Sequence, residues 1–97
     1  MTIHRFEDLE IWKSARLRCL KIRELSVNTS LSKDFSIKDQ ILRSSGSVMD
    51  NIAEGYERDG KKEFIQLLYI AKGSLGETRS QLHRCFDAHH ITEEHNE

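Results

Sequence analysis

The sequence predicts an all-α, up-and-down antiparallel bundle of three long helices with the start of a fourth, in one domain over residues 1–97. Three observations predict it. No proline occurs among the 97 residues, so nothing forbids long uninterrupted helices. Apolar residues recur every three or four positions over three separate stretches, as they do on one face of a helix. Charged residues make up 32% of the chain and apolar residues 37%, with a mean hydropathy of −0.60, which suits long solvated helical faces. Helices are expected at about residues 6–26, 36–56 and 61–88.

The first helix is read from Leu9, Trp12, Ala15, Cys19 and Ile22, which form one stripe. Glu7, Asp8 and Glu10 lie in its first turn and Arg18, Lys21 and Arg23 toward its end, as the helix dipole favours. The segment "SVNTSLSKDFS" then reads as a loop. The second helix starts at "SIKD", where Ser36 and Asp39 resemble a capping box. Its stripe is Ile37, Ile41, Ser45, Val48 and Ile52, widened by Leu42, Met49 and Tyr56, so it is expected to touch more than one neighbour. Gly55 or Gly60 supplies its stop. In the third helix Phe64, Leu68, Ala71, Leu75, Thr78, Leu82 and Cys85 alternate by four and three, a heptad seam of bundle type. After Ala88, "TEEH" has the pattern of a new helix start.

Charge and cysteine usage exclude several classes. A net charge of −1 lacks the broad basic footprint of a dedicated nucleic-acid binder, though a local basic patch remains open. Cys19 and Cys85 are the only cysteines, and the N-terminus "MTIHRFEDLEIW" has no apolar core of signal-peptide length. Reduced thiols and a cytoplasmic location are therefore expected. No apolar run is long enough to span a membrane.

One stretch stands out. In "SVMDNIAEGYER" a polar column, Arg43, Ser47, Asn51 and Glu54, runs down one face of the second helix. Just before it, Ser44, Ser45, Gly46 and Ser47 make a small-sided patch that lets another helix come close. Two readings stand from spacing alone: an exposed helix end, or polar groups that pair across a helix contact and set its register.

Three blocks, "FEDLEIWKSA" (Phe6–Ala15), "SSGSVMDNIAEGYER" (Ser44–Arg58) and "IAKGSLGET" (Ile70–Thr78), resemble the four-helix-bundle proteins of the 23S rRNA-intervening-sequence family. Those proteins are similar in turn to the accessory protein of diversity-generating retroelements. The resemblance spans roughly Phe6 to Ile91, and Asn-Ile-Ala-Glu-Gly is its most specific element. It implies a helical bundle that assembles into a homo-oligomeric ring, a pentamer. The motif positions carried over are Asn51, Ile52, Ala53, Glu54 and Gly55, with Arg43 and Ser47 upstream. The implied role of the column is structural glue within or between subunits. The retroelement relative binds nucleic acid through a basic surface, and this chain departs from it in net charge. It departs again at Glu97, where a full fourth helix would begin, so an uncovered apolar face is expected to drive association.

No convergent catalytic site is visible. Asp50 and Glu54 are a tight carboxylate pair on the second helix, a spacing more typical of a solvated face than of acid–base chemistry. No Glu-x-x-His motif and no phosphate loop appears. Cys85, His89, His90 and His95 are the nearest thing to a ligand cluster, and no Cys-x-x-Cys pair completes it. No enzyme activity, metal or cofactor is expected. The basic residues Lys13, Arg16, Lys21 and Arg23 of the first helix are the candidate RNA or DNA contact, with Glu10 and Glu24 diluting their field. The function expected is a non-enzymatic oligomeric scaffold or adaptor; the alternative is a nucleic-acid-binding accessory protein that uses the first helix.

Overall fold

A computed structural model describes residues 3–92 of the chain. They form α1 (Glu10–Asn28), α2 (Phe35–Glu57) and α3 (Lys61–Asp87), with short 3₁₀ turns at Phe6–Asp8 and Ser30–Lys33. The described residues contain no strand, so the all-α expectation holds. The four-helix architecture does not: the described residues form three α-helices. The expected helix start at "TEEH" lies, beyond Thr92, outside the described residues.

The end of α3 explains why the helix does not run on. His89 adopts the left-handed region at φ 63°. Its N–H bonds the Phe86 carbonyl and the His90 N–H bonds the Cys85 carbonyl, each at 2.9 Å, a Schellman closure made without glycine. Ile91 then turns back into the core, 6% exposed, beside Cys85, Leu31 and Ile41. His90 locks this end to the first connection: Nδ1 meets Ser30 Oγ at 2.7 Å and Nε2 meets Asp34 Oδ2 at 2.9 Å.

Other boundaries differ from the sequence reading for local reasons. The first helix begins later, because Leu9 is extended and breaks Phe6–Asp8 from α1. Phe6 packs edge-on against Trp12, and Leu9 joins the core cluster of Ala15, Val48, Ile52 and Ala71. The Ser36–Asp39 capping box does not form. The N-cap of α2 is Asp34, whose carboxylate is taken by His90. Ser36 Oγ instead accepts from Gln40 Nε2, and Asp39 pairs with Arg43. No glycine stops α2: Arg58 caps it, and Asp59 takes the left-handed turn at φ 56°. Gly55 is buried inside the helix instead.

The helices run antiparallel in sequence order: Ser44–Thr78 and Ser47–Ser74 set the direction for α2 and α3, and Ala15 clustering with Val48 while Ile22 clusters with Ile41 sets it for α1 and α2. α2 is the centre and packs along both α1 and α3, whereas α1 and α3 scarcely meet. Its wide apolar face, read from the sequence, is therefore used in full. The heptad seam of α3 is buried at Ala71, Thr78, Leu82 and Cys85, but Leu68 and Leu75 stay half-open.

Candidate functional site

The polar column divides. Ser47 and Asn51 are half-buried between α2 and α3. Asn51 Nδ2 donates to the Ser47 carbonyl at 2.8 Å and to Ser47 Oγ at 2.9 Å, and Ser47 Oγ meets Ser74 Oγ of α3 at 2.9 Å. Arg43 and Glu54 do not join them. Each is spent on an exposed partner four residues away on its own helix: Arg43 on Asp39 at 3.1 Å, and Glu54 on Arg58. The rest of the motif is packing. Ile52 is a core residue, Ala53 is half-buried, and Gly55 is buried against α3. A Cβ on Gly55 would meet Phe64 Cδ1 at 2.9 Å and Leu67 Cβ at 3.1 Å.

Next to Ser47 lies a polar layer that sequence reasoning missed in part. Ser44 Oγ is 2.6 Å from Gln81 Oε1 and 2.8 Å from Thr78 Oγ1, all three side chains being buried. Ser44 donates to Gln81, and the single hydroxyl proton of Thr78 is shared between the Ser74 carbonyl, at 2.9 Å, and Ser44 Oγ. Ser45 donates to the Ile41 carbonyl at 2.8 Å, and Cys19 Sγ donates to the Ser45 carbonyl at 3.1 Å. This layer separates two apolar clusters, one around Ile41 and Cys85 and one around Val48 and Ile52. Among the described residues, no buried side-chain nitrogen or oxygen lacks a partner. Burial pushes the Cys19 and Cys85 thiols up from their ordinary value. For Cys19 the hydrogen bond to Ser45 acts the other way; for Cys85 the Asp34 charge adds to the rise.

The basic residues of α1 are not one face. On a helix of 3.6 residues per turn, Lys13, Arg16 and Arg23 share a flank and Lys21 lies on another. Lys13 Nζ pairs with Glu10 at 3.4 Å, and Arg16 lies over the Trp12 ring at 5.8 Å. Lys21 instead joins a cation set that spans two helices. Because α1 and α3 stand apart, a cleft of about 380 Å³ opens between them over Ala15, Val48, Ile52, Ala71 and Leu75. A second opening of about 40 Å³ continues it over Ile22, Leu25 and Leu82. Arg18 and Lys21 of α1 and Lys72 and Arg79 of α3 line the two. No spacing within one helix announces this set, since it exists only once α1 and α3 flank α2.

The described residues hold no group of three or more His, Cys, Asp or Glu arranged for a metal. Cys85 is fully buried, His90 is tied to Ser30 and Asp34, and His95 lies outside the described residues. Among the described residues, no helix is long and apolar enough to cross a membrane.

The described residues thus form an antiparallel all-α unit of three helices whose motif residues mostly pack helix against helix. The chain belongs to the 23S rRNA-intervening sequence protein family, whose model matches residues 7–97. No curated protein and no solved structure matches it.

Proposed function

We propose that the protein is a non-enzymatic, homo-oligomeric scaffold of the 23S rRNA-intervening sequence family, with the pentamer as the subunit count that the sequence resemblance implies. The observation that carries this reading is the cleft. An apolar floor of Val48, Ile52, Leu68 and Leu75 lies open between α1 and α3, where a compact bundle would set another helix. Apolar surface of that kind favours association. The motif residues support the same reading, because Asn51, Ser47 and Gly55 serve packing and leave no convergent reactive group. The test is a dilution series read by light scattering and by a dye that fluoresces on apolar surface. The scaffold reading expects the mass to fall toward 11.3 kDa as dye fluorescence rises. A chain that stays at 11.3 kDa at every concentration overturns it.

A second reading rests on the cations Arg18, Lys21, Lys72 and Arg79, which have no ion pair among the described residues. Together with Lys13, Arg16 and Arg23 they could hold phosphates of RNA or DNA, and repetition around an oligomer would multiply a weak contact. Retention of RNA that falls steeply with salt, and that Lys21→Glu with Arg79→Glu, or Arg16→Glu with Arg23→Glu, abolishes, supports this reading. Salt-independent or absent retention removes it.

A further inference from the structure

The outward face of α3 sets an exposed aromatic ring among cations. On a helix of 3.6 residues per turn, Lys62, Ile65, Tyr69, Lys72, Gly76 and Arg79 fall within a sector of roughly 100°. All six are exposed, whereas Ala71, Thr78 and Leu82 of the same helix are buried toward α2. Tyr69 is 70% exposed, and Ile65, one turn earlier, 44%. A Cβ at Gly73 or Gly76 would meet nothing within 4 Å, so the space beside the ring is open.

Around the ring the sector carries one sign of charge. Lys62, Lys72 and Arg79 have no ion pair among the described residues. Glu63 and Glu77 fall on the flank turned away from α1, and Asp87, the acid within the sector, closes α3 about 27 Å from Tyr69. On the α1 side, Arg18 and Lys21 extend the positive field across the cleft. Along the axis Lys72 stands about 4.5 Å beyond Tyr69, Lys62 about 10 Å before it and Arg79 about 15 Å beyond it. A base stacked on the ring thus has its own phosphate beside Lys72 and the neighbouring phosphates toward Lys62 and Arg79. We infer that this face binds single-stranded nucleic acid, with a base on the Tyr69 ring and the backbone on the three cations.

The strand is single because a base must be unpaired to offer its flat face to a ring; a duplex offers this surface phosphates alone. An acidic protein would meet the same cations but brings nothing flat to Tyr69. Every base has such a face, so the contact tolerates any sequence. The inference rests on the nucleic-acid reading above and adds the surface and the kind of strand; it holds for any subunit count. One ring and three cations make a weak contact, so the strand leaves on dilution and the isolated chain carries none.

The test is fluorescence anisotropy of the full chain with labelled oligouridine and oligothymidine of about ten nucleotides, and with a duplex of the same length, over a salt series. The altered side chains are exposed, so the fold is retained, and circular dichroism checks it. Tyr69→Ala weakens single-strand binding roughly 5- to 150-fold, and Tyr69→Phe, which keeps the ring, leaves it unchanged. Lys72→Gln lowers the salt slope by about 1, and duplex binding ignores Tyr69→Ala. Loss with oligouridine alone, oligothymidine alone or both says whether the strand is RNA, DNA or either. Salt-dependent binding that Tyr69→Ala leaves unchanged overturns the stacking face and leaves the nucleic-acid reading standing. Polyglutamate that binds as tightly and is lost equally with Tyr69→Ala assigns the face to an acidic protein and overturns the inference. So does a lower solution mass for Tyr69→Ala, which assigns the ring to a subunit contact. No binding of either strand at low salt overturns the inference and the nucleic-acid reading together.

Discussion

Gly55→Ala and Gly46→Ala should move stability in opposite directions, although both glycines lie inside α2. An alanine inside a helix is favoured over glycine by ~1 kcal/mol, because the glycine backbone loses more freedom on folding. At Gly46 a Cβ meets nothing within 4 Å, so that gain is free. At Gly55 the same atom meets Phe64 Cδ1 at 2.9 Å, Leu67 Cβ at 3.1 Å and Phe64 Cα at 3.5 Å. The Phe64 ring can swing, but Leu67 Cβ moves only with the α3 backbone. Overpacking of this kind costs ~1–3 kcal/mol, so Gly55→Ala should lose about 1 kcal/mol net. For a domain of this size 1 kcal/mol is roughly 4–8 °C in Tm, so the two variants should melt roughly 8–16 °C apart. Thermal unfolding followed at 222 nm, with the variants at equal concentration, reads the difference. If Gly55→Ala stabilises as much as Gly46→Ala, the close approach of α2 and α3 at Gly55 is wrong.

Three further outcomes follow from the same geometry. Ser44→Ala strips Gln81 Oε1 and Thr78 of their shared partner and should cost ~1–3 kcal/mol, whereas Ser44→Ala combined with Gln81→Leu should recover part of it, since both ends become apolar; urea unfolding of the two variants reads this. Asn51→Ala should cost ~1 kcal/mol while Glu54→Ala, an exposed i,i+4 partner of Arg58, should stay within ~0.5 kcal/mol, so equal losses would argue against the division of the column. The raised thiols of Cys19 and Cys85 mean the folded chain keeps protons that the unfolded chain releases; the resulting stability is complete below about pH 9 and is lost as pH rises through the raised values. The urea midpoint should therefore fall on the alkaline side, and Cys19→Ser should flatten that fall; a midpoint that rises there refutes the assignment.

The helices were legible because each carries its own apolar period, and α3 matches its expected span of about 61–88 to within a residue at its end. Boundaries were legible only where local chemistry decides them. Ser36 looked like a cap, but Asp34 begins the helix and gives its carboxylate to His90, a partner 56 residues away that no local pattern reveals. Gly55 looked like a stop because glycine ends helices; its use here is a close contact with α3, which is tertiary. Asp59 and His89 take the left-handed turns instead, and both are residue types that tolerate them less readily than glycine. Thr78 fits the apolar seam by spacing and Gln81 carries no local signal, because the burial of both as a polar pair depends on Ser44 arriving from α2. The start of a fourth helix was read at "TEEH", which runs outside the described residues, and the full helix came from the family resemblance; within the described residues α3 ends in the Schellman closure at His89 with Ile91 folded back.

The measurement that bears most directly on the central claim is the absolute mass from light scattering after size exclusion, at low and at high salt, with absorbance at 260 and 280 nm. The account predicts a multiple of 11.3 kDa at both salts, with the absorbance ratio of protein alone. A mass of 11.3 kDa at both salts would contradict it, because the open cleft would then be left to water in the working protein.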